Sequence, residues 1–410
     1  MTSPRPAWTY TLPAALLLMA PFDILASLAM DIFLPVVPAM PVILNTTPGV
    51  IQLALSLYMV MLGVGQVVFG PLSDRVGRRP VLLAGGALFA AASLGAACSS
   101  TAGDFLAFRL LQAVGASAAL VATFATVRDV YADRPENAVI YGLFSSMLAF
   151  VPAIGPVAGA LIAESFGWRA IFVTLAALAA LAIANASLRW HETRPAIGTG
   201  PRPSVLPIFT SLPFWVYTLG FSAGMGSFFV FFSTAPRVLI GRAGYTEFWF
   251  SLTFATVALV MITTARFAKA FVGRWGVAGC VARGMVMLVC GALLLAAGEA
   301  HASPSFLTFI LPMWVMAIGI VLTVSVTANG ALRGFDVIAG SAVAIYFCIQ
   351  SLIVSIAGTL AVTLLDGASA WPLVCYATVM AVVVLAGLAL VRSRETRAAA
   401  STGASAAPRR

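Results

Sequence analysis

Charge is what this sequence has least of. Asp, Glu, Lys and Arg together make up 9% of its 410 residues, while 61% are hydrophobic. A water-soluble domain carries about 25% charged residues, so a soluble fold of this length could not turn so much apolar surface away from water. Acids are the scarcer sign, 14 against 23 Lys and Arg, and the formal net charge is +9. That excess does not point to nucleic acid, because the basic residues form no stripe on a polar domain. Histidine occurs twice, as His191 and His301, far apart in the chain. The five cysteines, Cys98, Cys280, Cys290, Cys348 and Cys375, are odd in number, scattered, and contain no C-x-x-C pair. These scarcities argue against a disulfide framework and a Cys/His metal site, and the cysteines read as small apolar packing residues. No catalytic triad or paired acids near a surface are found, so the chain is not expected to be an enzyme or to hold a cofactor.

What is present is apolar sequence in long runs. Twelve segments can be counted, over about 12–35, 51–71, 80–99, 104–126, 138–163, 169–189, 213–236, 247–268, 277–297, 305–328, 337–364 and 371–391. Each is close to the roughly 20 residues that cross a bilayer as a helix. In lipid the backbone must satisfy its own hydrogen bonds, and runs of this length without strict alternation are helices rather than barrel strands. The first run follows Arg5 and passes small residues at Ala26–Ala29, as a cleaved leader would. It continues to Leu34 and contains Asp23 and Asp31, so it reads as a retained span.

The basic residues set the topology. With the N-terminus inside, 19 of the 23 Lys and Arg fall in cytoplasmic segments, Arg169, Arg237 and Arg242 fall outside, and Arg109 lies within a span. This is the positive-inside pattern with both termini cytoplasmic, expected of a multi-pass protein of the cytoplasmic (inner) membrane. The longest connection, 190–212, is rich in Pro and Gly. It divides an N-terminal six-helix bundle (1–189) from a C-terminal one (213–392), and 393–410 reads as a disordered tail. The halves are weakly alike: Gly155-Pro156-Val-Ala-Gly159-Ala160 in span 5 is echoed by Ser355-Ile-Ala357-Gly358 in span 11. Paired six-span repeats around a midplane cavity are a common transporter plan.

Between spans 2 and 3 runs Gly70-Pro-Leu-Ser-Asp74-Arg75-Val-Gly77-Arg78-Arg79-Pro80. Glycines permit a tight turn and close helix approach, the Asp suits a helix N-terminus, and the arginines can stay in the cytoplasm and pair across halves. A topogenic basic loop would explain the arginines but not this spacing. The stretch resembles the cytoplasmic loop motif G-x-L-x-D-R-x-G-R-R-P of the major facilitator superfamily. Arg109-Leu-Leu-Gln112-Ala-Val-Gly115 resembles its fourth-span motif, with Ala113 in place of Gly. Gly155-Pro156-Val-Ala-Gly159-Ala160 resembles its antiporter motif, with Ala160 in place of Gly. Asp31-Ile-Phe-Leu34-Pro35 resembles the first span of exporters related to bicyclomycin and chloramphenicol resistance. The whole chain is similar to florfenicol/chloramphenicol exporters. That resemblance implies an all-α fold of twelve transmembrane helices in two six-helix repeats. It also implies a drug:proton antiporter driven by the proton motive force, with a small amphipathic drug, protons and the bilayer as partners. No nucleic-acid partner is expected, and the chain is expected to act as a monomer.

The residues add a mechanism. Asp23 and Asp31 lie eight apart, about 12 Å of rise and about 80° off alignment, so both can face one cavity at different depths. Counting along the spans places Asp23 about 16 Å above the inner edge, Arg109 about 22 Å and Asp31 about 28 Å. Intramembrane charges are costly and mark function. A salt bridge holding span 1 to span 4 is the structural alternative. One Arg cannot neutralise two acids at different depths, which leaves one carboxylate free to exchange a proton. Asp23, Arg109 and Asp31 are the expected proton-coupling residues: Asp23 is favoured as the carrier, tuned by Arg109, and Asp31, nearer the outer edge, either shares that task or only caps or shapes the span. Gly155, Pro156 and Gly159 read as a bend that permits close packing. Apolar walls with a few polar groups suit an amphipathic drug, and Tyr58, Phe144, Phe228 and Tyr346 are expected to line the cavity, with Gln66, Ser145, Phe229 and Gln350 as further candidates.

Proton exchange against a neutral drug moves one net charge, worth about 2.3 kcal/mol per 100 mV, so export should respond to voltage. A broader multidrug exporter and a metabolite importer on the same fold are the alternatives. An importer would be expected to carry more polar or paired charges in spans 7 to 11 than this chain has.

Overall fold

The computed structural model describes Trp8 and residues 10–131, 136–194, 204–335 and 338–405. Within them run twelve long helices. In the first half these are α1 (Leu12–Asp31), α2 (Pro48–Val76), α3 (Arg78–Cys98), α4 (Ala102–Tyr131), α5 (Glu136–Phe166) and α6 (Trp168–Arg189). In the second they are α7 (Leu212–Pro236), α8 (Glu247–Ala265), α9 (Ala268–His301), α10 (Leu311–Ala331), α11 (Ala339–Leu364) and α12 (Trp371–Ser405). No strand occurs among the described residues. Eleven of these helices are long and apolar enough to cross a membrane, and Phe150–Phe166 of α5 is a shorter apolar stretch.

Local sequence sets the boundaries. Pro occupies the first turn of α1, α2 and α7, where its missing N–H costs nothing and its φ suits the helix. Ser211 and Thr246 cap α7 and α8 by accepting from the N–H groups of Phe214 (3.3 Å) and Trp249 (3.2 Å). Gly77 separates α2 from α3 at φ 120°, a left-handed conformation that an L side chain rarely adopts.

The two halves repeat one packing scheme. In the first, α3 packs on α4 and α6, and α1 packs on α4, α5 and α6. In the second, α9 packs on α10 and α12, and α7 on α10, α11 and α12. The partners are the same after a shift of six helices. The halves meet through α2 against α11 and α5 against α8, pairs that the same shift exchanges.

Two boundaries differ from the sequence expectation. α12 continues to Ser405, so the tail read as disordered from 393 is helical that far, and 406–410 lie outside the described residues. The central part of the linker, 195–203, also lies outside them. Gly276, at φ 66°, breaks α9, so 268–275 forms a helical segment ahead of the span expected to begin near 277.

Candidate functional site

A cavity of about 450 Å³ opens between the halves. α1 contributes Ala26, Ser27, Met30 and Asp31, α2 contributes Met59 and Leu62, and α5 contributes Pro152. From the other half come Met225, Phe228, Phe229 and Phe232 on α7, Met261 on α8 and Val324 on α10. The size suits a drug-sized ligand, and pockets for such ligands combine apolar walls with few polar groups. Asp31 is the acid among the lining residues. The methionines add side chains that adapt to irregular shapes.

The halves are tied on the side away from the termini. Gln52 Nε2 on α2 donates to Ser233 Oγ on α7 at 2.9 Å, and Ser56 on α2 hydrogen-bonds Thr359 on α11. Arg237 Nη2 donates to the Pro48 carbonyl at 2.9 Å, and Ser251 Oγ on α8 donates to the Pro156 carbonyl at 3.1 Å. The cavity lies on the termini side of these bonds, reaching Leu62 on α2 and Ala265 on α8. This conformation is therefore fastened at the distal end.

The intramembrane charges are arranged differently from the expectation. Arg109 makes no ion pair with Asp23 or Asp31; its Nη1 donates to the Ala29 carbonyl at 3.0 Å and to Gln112 Oε1 at 2.5 Å. The guanidinium carbon sits 4.7 Å from the Tyr58 ring centre and 5.5 Å from that of Phe33, close enough for cation–π attraction. Gln112 in turn donates to Ser93 Oγ at 2.7 Å. The bond to Ala29 agrees with the counted depth of Arg109, between the two acids, but the charge is held by a carbonyl, an amide and aromatic faces. Asp23 is buried, with Oδ2 unpartnered, and is absent from the cavity wall. Asp31, the less favoured of the two expected coupling acids, is the one that borders the cavity.

Of the expected cavity residues, Phe228 lines the wall, as does Phe229. Tyr58, Phe144 and Tyr346 do not. The Tyr58 hydroxyl donates to the Ala26 carbonyl at 2.7 Å, and its ring lies under the Arg109 guanidinium. Phe144 packs edge-on to Phe124, and Tyr346 donates to Thr327 Oγ1 at 3.2 Å beside Phe221. Each is a large side chain that completes helix packing, a use depth along a span cannot distinguish from lining. Gln66 and Gln350 are likewise outside the wall, and the Ser145 side chain lies outside the described residues.

The glycines of α5 have a definite task. A Cβ on Gly155 would stand 3.0 Å from the Asp31 Cβ, and one on Gly159 would run into the Ile32 carbonyl oxygen. The bare backbone of α5 is what lets the end of α1 seat against it.

The loop between α2 and α3 pairs within its own half rather than across halves. Buried Arg78 bonds Asp74 (2.6 Å), Asp129 on α4 (2.8 Å) and Ser73 Oγ (2.6 Å). Arg79 Nη2 donates to the Ser187 carbonyl at 2.7 Å, and the Arg75 carbonyl accepts from Arg194. Gly70 lies inside α2, with open space where a Cβ would go, so only Gly77 serves the turn. The carboxylate at the start of α3 is not Asp74 but Glu192, which accepts from the N–H groups of Arg78 (2.8 Å), Arg79 (3.2 Å), Thr193 (3.1 Å) and Arg194 (2.9 Å). Sequence reading missed Glu192 because its partner is more than a hundred residues away.

Helix count, repeat and motif loop are those of one family, and residues 22–356 match the Major Facilitator Superfamily. The chain belongs to that superfamily. It is 52% identical over 394 residues to a chloramphenicol resistance protein of Pseudomonas aeruginosa, covering 95% of this chain and 93% of that one. It is 30% identical to the multidrug resistance protein MdtL of Escherichia coli over 76% of this chain and 79% of the relative. Its fold is similar to that of a D-xylose–proton symporter, with a TM-score of 0.73 at 16% identity, over 91% of this chain and 97% of the symporter. With its apolar helices, superfamily membership makes this a multi-pass membrane protein.

Proposed function

We propose that this superfamily member exports phenicol antibiotics, chloramphenicol and florfenicol among them, from the cytoplasm in exchange for protons. The observation that carries the reading is the 52% identity, across 95% of the chain, to a protein named for chloramphenicol resistance. The cavity supports it: apolar, methionine- and phenylalanine-lined, of drug size, with one carboxylate in its wall. A neutral, ring-bearing drug matches such walls, and Asp31 is the group beside it that can carry a proton. Asp23, expected at first to be that carrier, becomes a second buried acid about 12 Å nearer the termini.

Both termini are cytoplasmic in this reading, on the strength of the Lys and Arg bias. The conformation then faces inward. Drug enters from the cytoplasm or inner leaflet while Asp31 is deprotonated, the distal bonds break as the halves rock, and a proton from outside displaces the drug. The chain acts as a monomer and needs no cofactor beyond the proton motive force. Similarity to MdtL favours a second reading, a broader multidrug exporter.

Susceptibility of cells expressing the chain tests both. A raised inhibitory concentration for chloramphenicol and florfenicol alone supports the narrow reading, and resistance extending to unrelated drugs supports the broad one. No change for any drug, with the protein confirmed in the membrane, overturns both and leaves the fold standing.

A further inference from the structure

The α8–α9 connection occupies the place in the second half that the Gly-Asp-Arg loop occupies in the first, yet it lacks that motif. It reads Arg266-Phe267-Ala-Lys269-Ala-Phe271-Val-Gly-Arg274-Trp275. Phe267, Phe271 and Trp275 are spaced four apart and so share a helix face. Their ring centres lie 6.4 and 5.2 Å apart, the second pair parallel. Phe271 and Trp275 lean on the hydrophobic core, while Phe267 is 55% exposed. The break at Gly276 gives 268–275 an axis of its own, and nothing lies within 4 Å of a Cβ built on Gly273 or Gly276. The segment stands clear of the bundle on that side.

The charge on it is of one sign. Arg266, Lys269 and Arg274 are exposed, and Arg283 brings a fourth cation over the Trp275 ring at 4.6 Å. Among the described residues none of the four is in an ion pair. No Asp or Glu occurs between Phe248 and Gly298, so the stretch has no acid of its own to answer these cations. It joins two membrane-crossing helices at the face of the termini, which puts it at the level of the lipid headgroups. Free anions would need no aromatic edge. A lipid offers both a phosphate for the cations and a glycerol–acyl boundary for a half-exposed ring.

We propose that this stretch is a binding site for an anionic phospholipid, with Arg266, Lys269 and Arg274 on the headgroup phosphate and Phe267 against the acyl boundary. The site would hold the α8–α9 corner of the second half to the membrane surface, where the first half relies on its own Arg78 network.

The test is retention of spin-labelled phosphatidylglycerol, relative to phosphatidylcholine, by the full-length protein in zwitterionic vesicles. Each surface cation is worth about a fivefold change in affinity for anionic lipid. Replacing three (Arg266→Gln, Lys269→Gln, Arg274→Gln) should therefore cut the preference by about a hundredfold. The charge-keeping set Arg266→Lys, Lys269→Arg and Arg274→Lys should retain it, which separates lost charge from lost folding. Excess inorganic phosphate should leave the lipid bound. An unchanged preference in the neutral triple variant overturns the proposal. So does an equal loss in Arg333→Gln, Arg392→Gln, Arg394→Gln, neutral at three other basic positions of the same half, or displacement of the lipid by phosphate alone.

Discussion

Gly155 of α5 faces Asp31 of α1 so closely that an added methyl would stand 3.0 Å from the Asp31 Cβ, and one turn on Gly159 faces the Ile32 carbonyl more closely still. The acid of the cavity wall is thus seated against glycines of the helix whose motif resembles that of antiporters. Overfilling such a contact costs about 1–3 kcal/mol. Gly159→Ala, which drives a methyl into backbone, should lower the melting temperature of purified protein more than Gly155→Ala. Both should slow drug export at unchanged expression.

The two acids should behave differently. Asp31→Asn should keep drug binding and lose pumping against a gradient, because the group beside the drug can no longer exchange a proton. Asp23→Asn, away from the cavity wall, should retain measurable proton-coupled export. The opposite pattern in vesicle transport would return the coupling role to Asp23.

Glu192 holds the start of the linker to the start of α3. Its carboxylate accepts from four backbone N–H groups, and losing a helix cap of this kind costs about 0.5–2 kcal/mol. Glu192→Ala should lower thermal stability, while Glu192→Gln should recover part of it through its remaining oxygen acceptor. Equal melting of all three proteins would show that the cap contributes nothing.

Gln52 and Ser233 fasten the distal end. Removing the bond with Gln52→Leu leaves a buried hydroxyl with one partner fewer, which costs about 1–3 kcal/mol, and does so only in the conformation described. The population should move toward the distally open state, seen as a longer distance between spin labels on the distal ends of α2 and α7. An unchanged distance distribution would mean that the bond does not bias the equilibrium.

Much of the architecture could be read from the chain, because lipid imposes a simple rule: a long apolar run is a helix. The motif loop was readable because Asp74, Gly77 and Arg78 are near one another in sequence, although only the structure shows that Arg78 turns inward to Asp129. What failed depends on rotation about a helix axis. Depth, counted at about 1.5 Å per residue, located Asp31, Arg109 and Tyr58 along their spans. It could not say that Asp31 faces the cavity while Tyr58 turns back to Ala26, nor that carbonyl and aromatic groups would hold Arg109. Phe228 was found and Met30, Met59 and Met225 were not, since a methionine in an apolar span carries no mark of which side it faces.

The central claim is that Asp31 couples drug movement to protons. Its most direct test is accumulation of labelled chloramphenicol in everted membrane vesicles under an imposed, inside-acid pH gradient. The account predicts gradient-dependent accumulation by the unaltered protein and none above background by Asp31→Asn, with drug binding by the variant retained. Accumulation by Asp31→Asn equal to that of the unaltered protein, with the same dependence on the gradient, would contradict it.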